Sequence, residues 1–156
     1  MLGALDRGLL RLLRTRGHAA PVERAALALT RLGEHGALWL GIAAGGALAD
    51  SDRRSLYRRA AKAVIVAYGT NQAIKFTVRR PRPVLDDLPP LAPTVSRLSY
   101  PSAHASTSFA AARVLGGPFY ALAAAVAVSR PYAGVHYPSD SLAGVALGLA
   151  LGSARR

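Results

Sequence analysis

The sequence predicts an all-α fold in a single domain over residues 1–156, and three observations support that prediction. Apolar residues recur at helical spacing along most of the chain, and no segment alternates as a half-buried strand would. Clusters of glycine and proline separate the apolar runs. The length is that of one domain rather than two.

Glycines, prolines and polar runs divide the chain into seven predicted helices. Pro21 suits the first turn of the second helix, and residues 33–36 form a hinge. Residues 50–59 form a polar loop, residues 79–100 a longer loop rich in proline, and residues 116–118 a tight turn. The predicted helices cover residues 1–16, 22–32, 37–49, 60–78, 102–115, 119–128 and 139–154.

The first predicted helix is basic and amphipathic, because Arg7, Arg11 and Arg14 fall between leucines that recur at helical spacing. Such a helix can lie on a membrane surface, or it can pack on the core with its basic face in water. The arginines also interrupt the apolar stretch that a cleavable signal peptide needs, so we expect none. The leucines are Leu2, Leu5, Leu9, Leu12 and Leu13.

The composition combines many apolar residues with a strong positive charge. Hydrophobic residues make up 51% of the chain, and the formal net charge is +12. This combination favours contact with lipid headgroups or phosphates. Nucleic acid is not expected as a partner, because aromatic residues, at 6%, are too few for a base-stacking surface. The chain has no cysteine, which excludes disulfides, thiolate catalysis and cysteine-ligated zinc.

Two features favour an integral membrane bundle. The uncharged runs are short, roughly 12–16 residues against the ~20 that cross a bilayer, yet they leave a soluble domain of this size with little polar surface. Glycines also recur every four residues, a spacing that favours close helix packing in lipid. We therefore expect about five membrane-embedded helices within residues 34–154, with amphipathic helices in residues 1–33. The glycines are Gly41, Gly45, Gly144, Gly148 and Gly152.

Three separated clusters of polar residues share one chemistry. They span residues 75–83, 100–104 and 129–140, next to predicted helix ends that an up-and-down connection places at the same end of the bundle. Together they supply fixed cations for phosphate oxygens, a hydroxyl donor, a nucleophile and an acid, as phosphoryl transfer requires. These residues are Lys75, Arg82, Arg130, Ser102, His104 and His136.

The first and third clusters also have simpler interpretations. His136 and Asp140 could form a structural hydrogen-bonded pair across one helical turn, or they could be two ligands of a metal. Lys75 could extend from a helix end to the membrane interface, and residues 79–82 could anchor lipid headgroups. These explanations must account together for three clusters at one end of the bundle.

The clusters together resemble the signature of the phosphatidic acid phosphatase type 2 superfamily, which includes bacterial acid phosphatases and vanadium haloperoxidases. The signature reads Lys-x6-Arg-Pro, then Pro-Ser-Gly-His, then Ser-Arg-x5-His-x3-Asp. Here the matching segments are Lys75 to Pro83, Pro101 to His104 and Ser129 to Asp140, with the same order and internal spacing. The resemblance covers residues 75–140, and residues 1–60 carry no comparable motif.

The resemblance implies a role for each matching residue. His136 would attack phosphorus and form a phosphohistidine, and Asp140 would orient and stabilise its ring. His104 would protonate the leaving alkoxide and then activate water. Phosphate oxygens would be bound by Lys75, Arg82, Ser102, Arg130 and the backbone N–H of Ala103. The resemblance implies no metal and no cofactor.

The match departs from the family at one position and is ambiguous at another. Ala103 stands where the family usually has glycine, which keeps the N–H donor but adds a methyl group and disfavours a positive φ. Arg80 and Pro81 form a second Arg-Pro pair, and Arg79 lies one helical turn after Lys75. Arg79 and Arg80 are therefore possible auxiliary phosphate ligands.

The predicted function is hydrolysis of a phosphomonoester or diphosphate on a membrane lipid, such as a polyprenyl phosphate or a decaprenyl-phosphoryl-sugar phosphate of cell-wall synthesis. Alternatives are a phosphatidic acid or phosphatidylglycerol phosphate phosphatase, a soluble acid phosphatase or haloperoxidase, or a non-enzymatic basic membrane-binding protein. The expected partners are the lipid substrate and the bilayer. The expected location is the cell membrane, multi-pass, with an extracytoplasmic site; a cytoplasmic site follows if the basic N-terminus decides the orientation.

Other polar residues receive structural interpretations. His18 and His35 are expected at the surface or in helix caps. Glu34, Asn71 and Gln72 are expected to make packing hydrogen bonds within the bundle rather than to take part in catalysis.

Overall fold

The computed structural model describes residues 2–154, with Leu2 described by its backbone only, and within that range the chain is all-helical. Predictions that concern Met1, the side chain of Leu2 or residues 155–156 lie outside the described residues. A 3-10 turn at Glu34–Gly36 separates the second and third helices. The helices are α1 (Leu2–Thr15), α2 (Ala20–Leu32), α3 (Ala37–Ala49), α4 (Arg54–Val78), α5 (Ala103–Leu115), α6 (Phe119–Tyr132) and α7 (Pro138–Gly152).

Two predicted boundaries were wrong. α4 begins at Arg54, so the predicted loop over residues 50–59 is shorter; Asp50 accepts hydrogen bonds from the backbone N–H of Arg53 (3.0 Å) and from its guanidinium (2.7 Å) just before the helix starts. The arginines that suggested a loop are good helix formers.

α6 also runs further than predicted, through Pro131 to Tyr132 instead of ending at residue 128. Proline inside a helix leaves the carbonyl four residues earlier without its donor. Here that carbonyl belongs to Ala127, and it accepts a hydrogen bond of 3.1 Å from the Ser141 hydroxyl on α7. A contact from another helix therefore supports the last turn of α6.

α5 is the central helix and packs against α4, α6 and α7. Its contact with α7 is very close, because a Cβ at Gly144 would lie 2.5 Å from the Ser102 carbonyl, and one at Gly152 would lie 2.7 Å from that of Ala110. The predicted packing role is confirmed for the glycines of α7. It is wrong for Gly41 and Gly45: among the described residues, no atom outside the adjoining backbone of α3 lies within 4 Å of a Cβ built at either position.

α1 packs on the bundle through a face between its leucine stripe and the basic residues Arg7 and Arg11, both of which are exposed. Asp6, Leu10 and Arg14, spaced by one turn each, are buried, and the Arg14 guanidinium donates to the backbone carbonyls of Tyr132 (3.3 Å) and Pro89 (2.7 Å). The leucines on the other face stay outside the core; Leu5, Leu9 and Leu12 are exposed. The amphipathic helix is confirmed, and its apolar stripe faces away from the protein.

Among the helices described over residues 2–154, none is both long enough and apolar enough to cross a membrane.

The segment from Arg79 to Ser102 closes one end of the bundle. Arg79 ends α4 in a left-handed conformation (φ 55°), and the chain then folds back through a bridge between Pro81 and Leu98. The Ser99 N–H donates to the Arg80 carbonyl (2.8 Å), which fixes the return. This end of the bundle is where the three predicted clusters lie.

The close contact of α5 and α7 predicts that Gly148→Ala destabilises the protein. A Cβ at residue 148 would lie 2.9 Å from the Ala110 backbone nitrogen and nearer still to the Ser106 carbonyl, so the helices must separate. We expect a loss of about 2 kcal/mol in the free energy of unfolding, as for an overpacked core. Chemical unfolding of the purified protein measures it.

Gly45→Ala is the matched control, because the same methyl group enters open space on α3. It should stabilise the protein slightly, by up to about 1 kcal/mol, through helix propensity. Equal effects of the two substitutions would contradict the packing argument.

Candidate active site

The three clusters meet at a cavity of about 200 Å³ at one end of the bundle. The end of α4, the loop before α5, the N-terminus of α5 and the last turn of α6 all contribute to its wall. Six of the residues that the sequence singled out line this cavity: Lys75, Arg82, Ala103, His104, Arg130 and His136.

His136 follows α6 and is held in one orientation. Arg82 places Nη1 3.1 Å from His136 Nε2, and an arginine can only donate, so Nε2 carries the lone pair. The proton is then on Nδ1, which lies 3.4 Å from Asp140 Oδ2. Arg82 is itself fixed by hydrogen bonds to the carbonyls of Val135 (2.6 Å) and Ser96 (2.7 Å).

The imidazole of His136 is neutral at physiological pH. Burial, followed by the positive charges of Arg130 and Arg82, lowers the pKa of His136 well below its ordinary value. The ring is 1% exposed, so water does not screen these charges. A neutral ring with its lone pair beside a guanidinium is suited to nucleophilic attack on a phosphorus atom bound there.

The cavity contains more positive charge than the protein neutralises. Arg130 is 2% exposed, and neither its Nε nor its Nη1 finds a hydrogen-bond partner within residues 2–154. Lys75 is also buried, and its Nζ reaches the Leu98 carbonyl at 3.5 Å, a long hydrogen bond. Unsatisfied buried donors are costly, so their convergence here indicates a site for an anion.

His104 lies in the first turn of α5 and lines the cavity. Its Nε2 lies 2.9 Å from the Thr30 carbonyl, so Nε2 carries a proton and Nδ1 is the atom left for proton exchange. Ser102 caps α5, accepting from the Ala105 N–H (3.4 Å), and its own N–H donates to the Asp140 carbonyl (2.9 Å). Ala103 lines the cavity, whereas Ser102 is fully buried and does not line it.

Asp140 is fully buried at the start of α7 and is linked to α1 through Arg80. Arg80 donates to Asp140 Oδ1 (2.7 Å), to Asp6 Oδ2 (2.7 Å) and to the Ser139 hydroxyl (2.7 Å). Its guanidinium also lies over the Tyr137 ring, 4.1 Å from the centroid.

The two arginines proposed as auxiliary ligands therefore lie in different surroundings. Arg80 binds two carboxylates beneath the site, and Arg79 is exposed at the end of α4. Neither residue lines the cavity. Within the described part of the chain, histidine, aspartate and glutamate side chains form no group of three that could hold a metal ion.

Three residues that line the cavity have only structural roles in the predictions from the sequence: Glu34, His35 and Gln72. The signal that could have found them is topological, since the hinge at residues 33–36 precedes α3 at the same end of the bundle. Asn71 makes the packing hydrogen bonds expected of it, to the Pro101 carbonyl and the Ser106 hydroxyl. His18 acts as a cap, with Nε2 2.9 Å from the Leu13 carbonyl of α1.

The contact of Asp6 with Arg80 and Ser139 predicts a pH-dependent contribution to stability. Burial opposes ionisation of Asp6, but the hydrogen bonds from Ser139 and Arg80 outweigh it and hold its pKa below the ordinary value. The stabilisation of the folded protein by ionised Asp6 is therefore complete above about pH 4, and it is lost as the pH falls through the lowered pKa of Asp6. Asp6→Asn should cost about 2 kcal/mol at pH 7 and progressively less in acid.

Unfolding of wild type and variant from pH 7 down to pH 3 tests this prediction. Asp87→Asn is the control, because Asp87 pairs with Arg11 at the surface and water screens the pair. A loss for Asp6→Asn that does not shrink in acid would contradict the ionic explanation.

Comparisons with known proteins agree with this geometry. A model of the PAP2 superfamily matches residues 113–155. Two solved structures share the fold: LpxE of Aquifex aeolicus, with a TM-score of 0.81, 23% identity and coverage of 95% of this chain and 92% of that one, and a transmembrane PAP2 type phosphatidylglycerolphosphate phosphatase of Bacillus subtilis, with a TM-score of 0.74, 22% identity and coverage of 97% and 82%.

Relatives found by sequence show the family as well as the fold. The decaprenylphosphoryl-5-phosphoribose phosphatase of Mycolicibacterium smegmatis is 42% identical over 128 residues, which are 79% of this chain and 71% of the relative. The protein of that name from Mycobacterium tuberculosis is 43% identical over 133 residues, covering 80% of this chain and 73% of the relative. The chain thus belongs to the PAP2 superfamily and is one of its phosphatases.

Proposed function

We propose that this phosphatase hydrolyses a phosphate monoester on a lipid-linked sugar at a membrane, through a phosphohistidine on His136. The observation that carries the proposal is the buried neutral imidazole of His136, whose lone pair faces a cavity of uncompensated cations. A phosphate monoester is the anion that satisfies these cations and presents an electrophile to the ring.

The proposed reaction has two steps. In the first, His136 Nε2 attacks phosphorus while the bond from phosphorus to the ester oxygen breaks. His104 acts here in its doubly protonated form: its Nδ1 takes up a proton from solvent as the phosphate dianion binds, and it gives that proton to the leaving alkoxide. In the second, Nδ1 takes a proton from water, whose oxygen attacks phosphorus and releases inorganic phosphate and free His136. Asp140 stabilises the positive charge that the His136 ring gains between the two steps.

The cationic residues would bind the equatorial oxygens that gain charge in the transition state. Lys75, Arg82 and Arg130 all line the cavity, and the N-terminus of α5 at Ala103 adds the positive end of its helix dipole. We propose that the hydroxyl of Ser102, the residue before Ala103, also binds a phosphate oxygen when substrate is present.

The substrate class follows from the relatives and from the surface around the cavity. The 42–43% identical relatives are named for decaprenylphosphoryl-5-phosphoribose, a lipid-linked sugar phosphate of the kind expected from the sequence. Phe76 and Val95 line the cavity, and both are exposed (66% and 76%). These apolar side chains lie where a lipid tail would leave the cavity, so we propose such a substrate, in cell-wall synthesis.

We further propose that the protein is embedded in the cell membrane as a multi-pass protein with an extracytoplasmic site. Apolar side chains are exposed on several helices, among them Leu48, Ile65, Val128 and Leu142. The basic segment over residues 53–59 begins α4, at the opposite end of that helix from Lys75. Positive segments remain in the cytoplasm, so the cavity would open on the other side.

Phosphate release from decaprenylphosphoryl-5-phosphoribose tests the chemistry. Wild type should release phosphate, with or without a chelator, and vanadate should inhibit it. His136→Ala should lose activity by about 10⁴-fold or more, because the covalent route is closed. His18→Ala, which removes a histidine at the end of α1, should keep it. Equal release by wild type and His136→Ala, or loss on chelation, would overturn the mechanism. Phosphatidic acid and phosphatidylglycerol phosphate complete the substrate panel.

Single cysteines test the orientation, since the chain has none of its own. Ser55→Cys lies at the basic end of α4, and Thr94→Cys lies on the exposed loop beside the cavity. In intact cells an impermeant thiol reagent should label residue 94 and leave residue 55 unlabelled until the cells are opened. The reverse pattern would put the site in the cytoplasm. Release of the protein by high salt without detergent would contradict membrane embedding.

A further inference from the structure

We propose that the cavity has a second half, beside the phosphate site, that binds the hydroxyl groups of the leaving group. Glu34, His35, Tyr68 and Gln72 form it, and its ligand is a sugar or another polyol. The inference rests on the proposed function, since it concerns the alcohol from which phosphate is cleaved. It deepens that function by assigning residues to recognition of the sugar.

The position of Glu34 relates this half to the leaving group. Glu34 Oε2 lies 4.0 Å from His104 Nε2, too far for a hydrogen bond, and that nitrogen already donates to the Thr30 carbonyl. His104 is the proposed acid for the leaving oxygen. Glu34 thus lies on the Nε2 side of the His104 ring, and both residues line the same cavity. The Glu34 carboxylate can therefore accept hydrogen bonds from other hydroxyl groups of the alcohol that leaves near Nδ1.

The charge of Glu34 excludes phosphate as its partner. Among the described residues that line the cavity, it alone carries a carboxylate, and it faces Lys75, Arg82 and Arg130. A carboxylate repels a phosphate dianion and can only accept hydrogen bonds. Hydroxyl groups are neutral donors, and neighbouring hydroxyls of a sugar can bind both oxygens of one carboxylate.

The backbone around Glu34 is strained in a way that holds this half in place. His35 adopts a left-handed conformation (φ 52°), which is unfavourable for a residue with a side chain. Its Nδ1 lies 2.8 Å from the Tyr68 hydroxyl on α4. The turn also lies directly against the acid, since a Cβ at Gly33 would be 2.7 Å from His104 Cδ2. Strain of this kind persists where a functional geometry requires it.

Burial of the cavity residues decreases in the order in which phosphate, sugar and lipid follow one another in such a substrate. His136 and Arg130 are buried, Glu34, Tyr68 and Gln72 are partly exposed, and the apolar rim is open. Tyr68 and Gln72 lie one turn apart on α4, and Lys75 follows on the same side of that helix, so one helix face leads from the hydroxyl half to the phosphate half. Phosphate, sugar and lipid would thus meet cationic, hydrogen-bonding and apolar surface in turn.

A comparison of two substrates with the same tail tests the inference. One is a lipid-linked 5-phosphoribose, and the other is a simple alkyl phosphate of the same chain length without hydroxyl groups. Glu34→Gln, Tyr68→Phe and Gln72→Leu should each lower kcat/KM about 10-fold or more for the sugar phosphate and less than about 3-fold for the alkyl phosphate. Activity on the alkyl phosphate shows that each variant folds. Tyr120→Phe, which alters a tyrosine packed on Phe109 outside the cavity, is the matched control.

The possible outcomes separate this inference from the function on which it rests. Wild type that hydrolyses both substrates with no preference for the sugar phosphate would overturn the inference alone. Equal losses of kcat/KM on both substrates would also overturn it. If the pH profile of Glu34→Gln also changed, Glu34 would instead act by positioning His104 or tuning its protonation. Wild type that hydrolyses neither substrate would overturn the proposed function together with the inference.

Discussion

The buried carboxylate of Asp140 is the group on which the rest of the site depends. An ionised carboxylate without water is unstable by several kcal/mol unless donors surround it. Here the Tyr137 N–H binds Oδ2 (2.9 Å), Arg80 binds Oδ1 (2.7 Å), and His136 faces it. Two of these donors, His136 and Tyr137, are consecutive residues just before α7, and the third comes from the loop after α4. The two segments must therefore meet for the carboxylate to be buried at all, and their meeting brings Arg82 and His136 to the cavity.

The packing of α5 on α7 holds this arrangement rigid. Gly144 lies against the Ser102 carbonyl, and the N–H of the same serine donates to the Asp140 carbonyl (2.9 Å). The start of α5, which brings His104 and Ala103 to the cavity, is thereby fixed to the start of α7. A side chain at residue 144 would move both helix ends together, so the stability of the bundle and the geometry of the site share one contact.

Much of the site could be predicted because the relevant information is local. The spacing within each cluster and the alternating direction of the helices place Lys75, His104 and His136 at one end of the bundle without tertiary contacts. The remainder depends on partners far away in the sequence. Ser141 supports the end of α6 past Pro131, and Asp6 binds Arg80 across 74 residues. Such pairs leave no periodicity, and a hinge such as Glu34 to Gly36 shows its role only once the neighbouring helices are placed.

The balance of charge explains why one fold needs so many arginines near one histidine. Arg80 shares its charge between Asp6 and Asp140, so these three groups leave one negative charge beneath His136. Above the ring, Lys75, Arg82 and Arg130 leave three positive charges, of which Glu34 offsets one. The negative charge below stabilises the ring when it becomes cationic, while the positive charges above keep it neutral until phosphate arrives. A dianion neutralises the surplus, offsets the part of the lowered pKa of His136 that the cations add to burial, and leaves a site matched in charge to the phosphohistidine. Binding of the phosphate and activation of the nucleophile are therefore parts of one electrostatic balance, in which α1 takes part through Asp6.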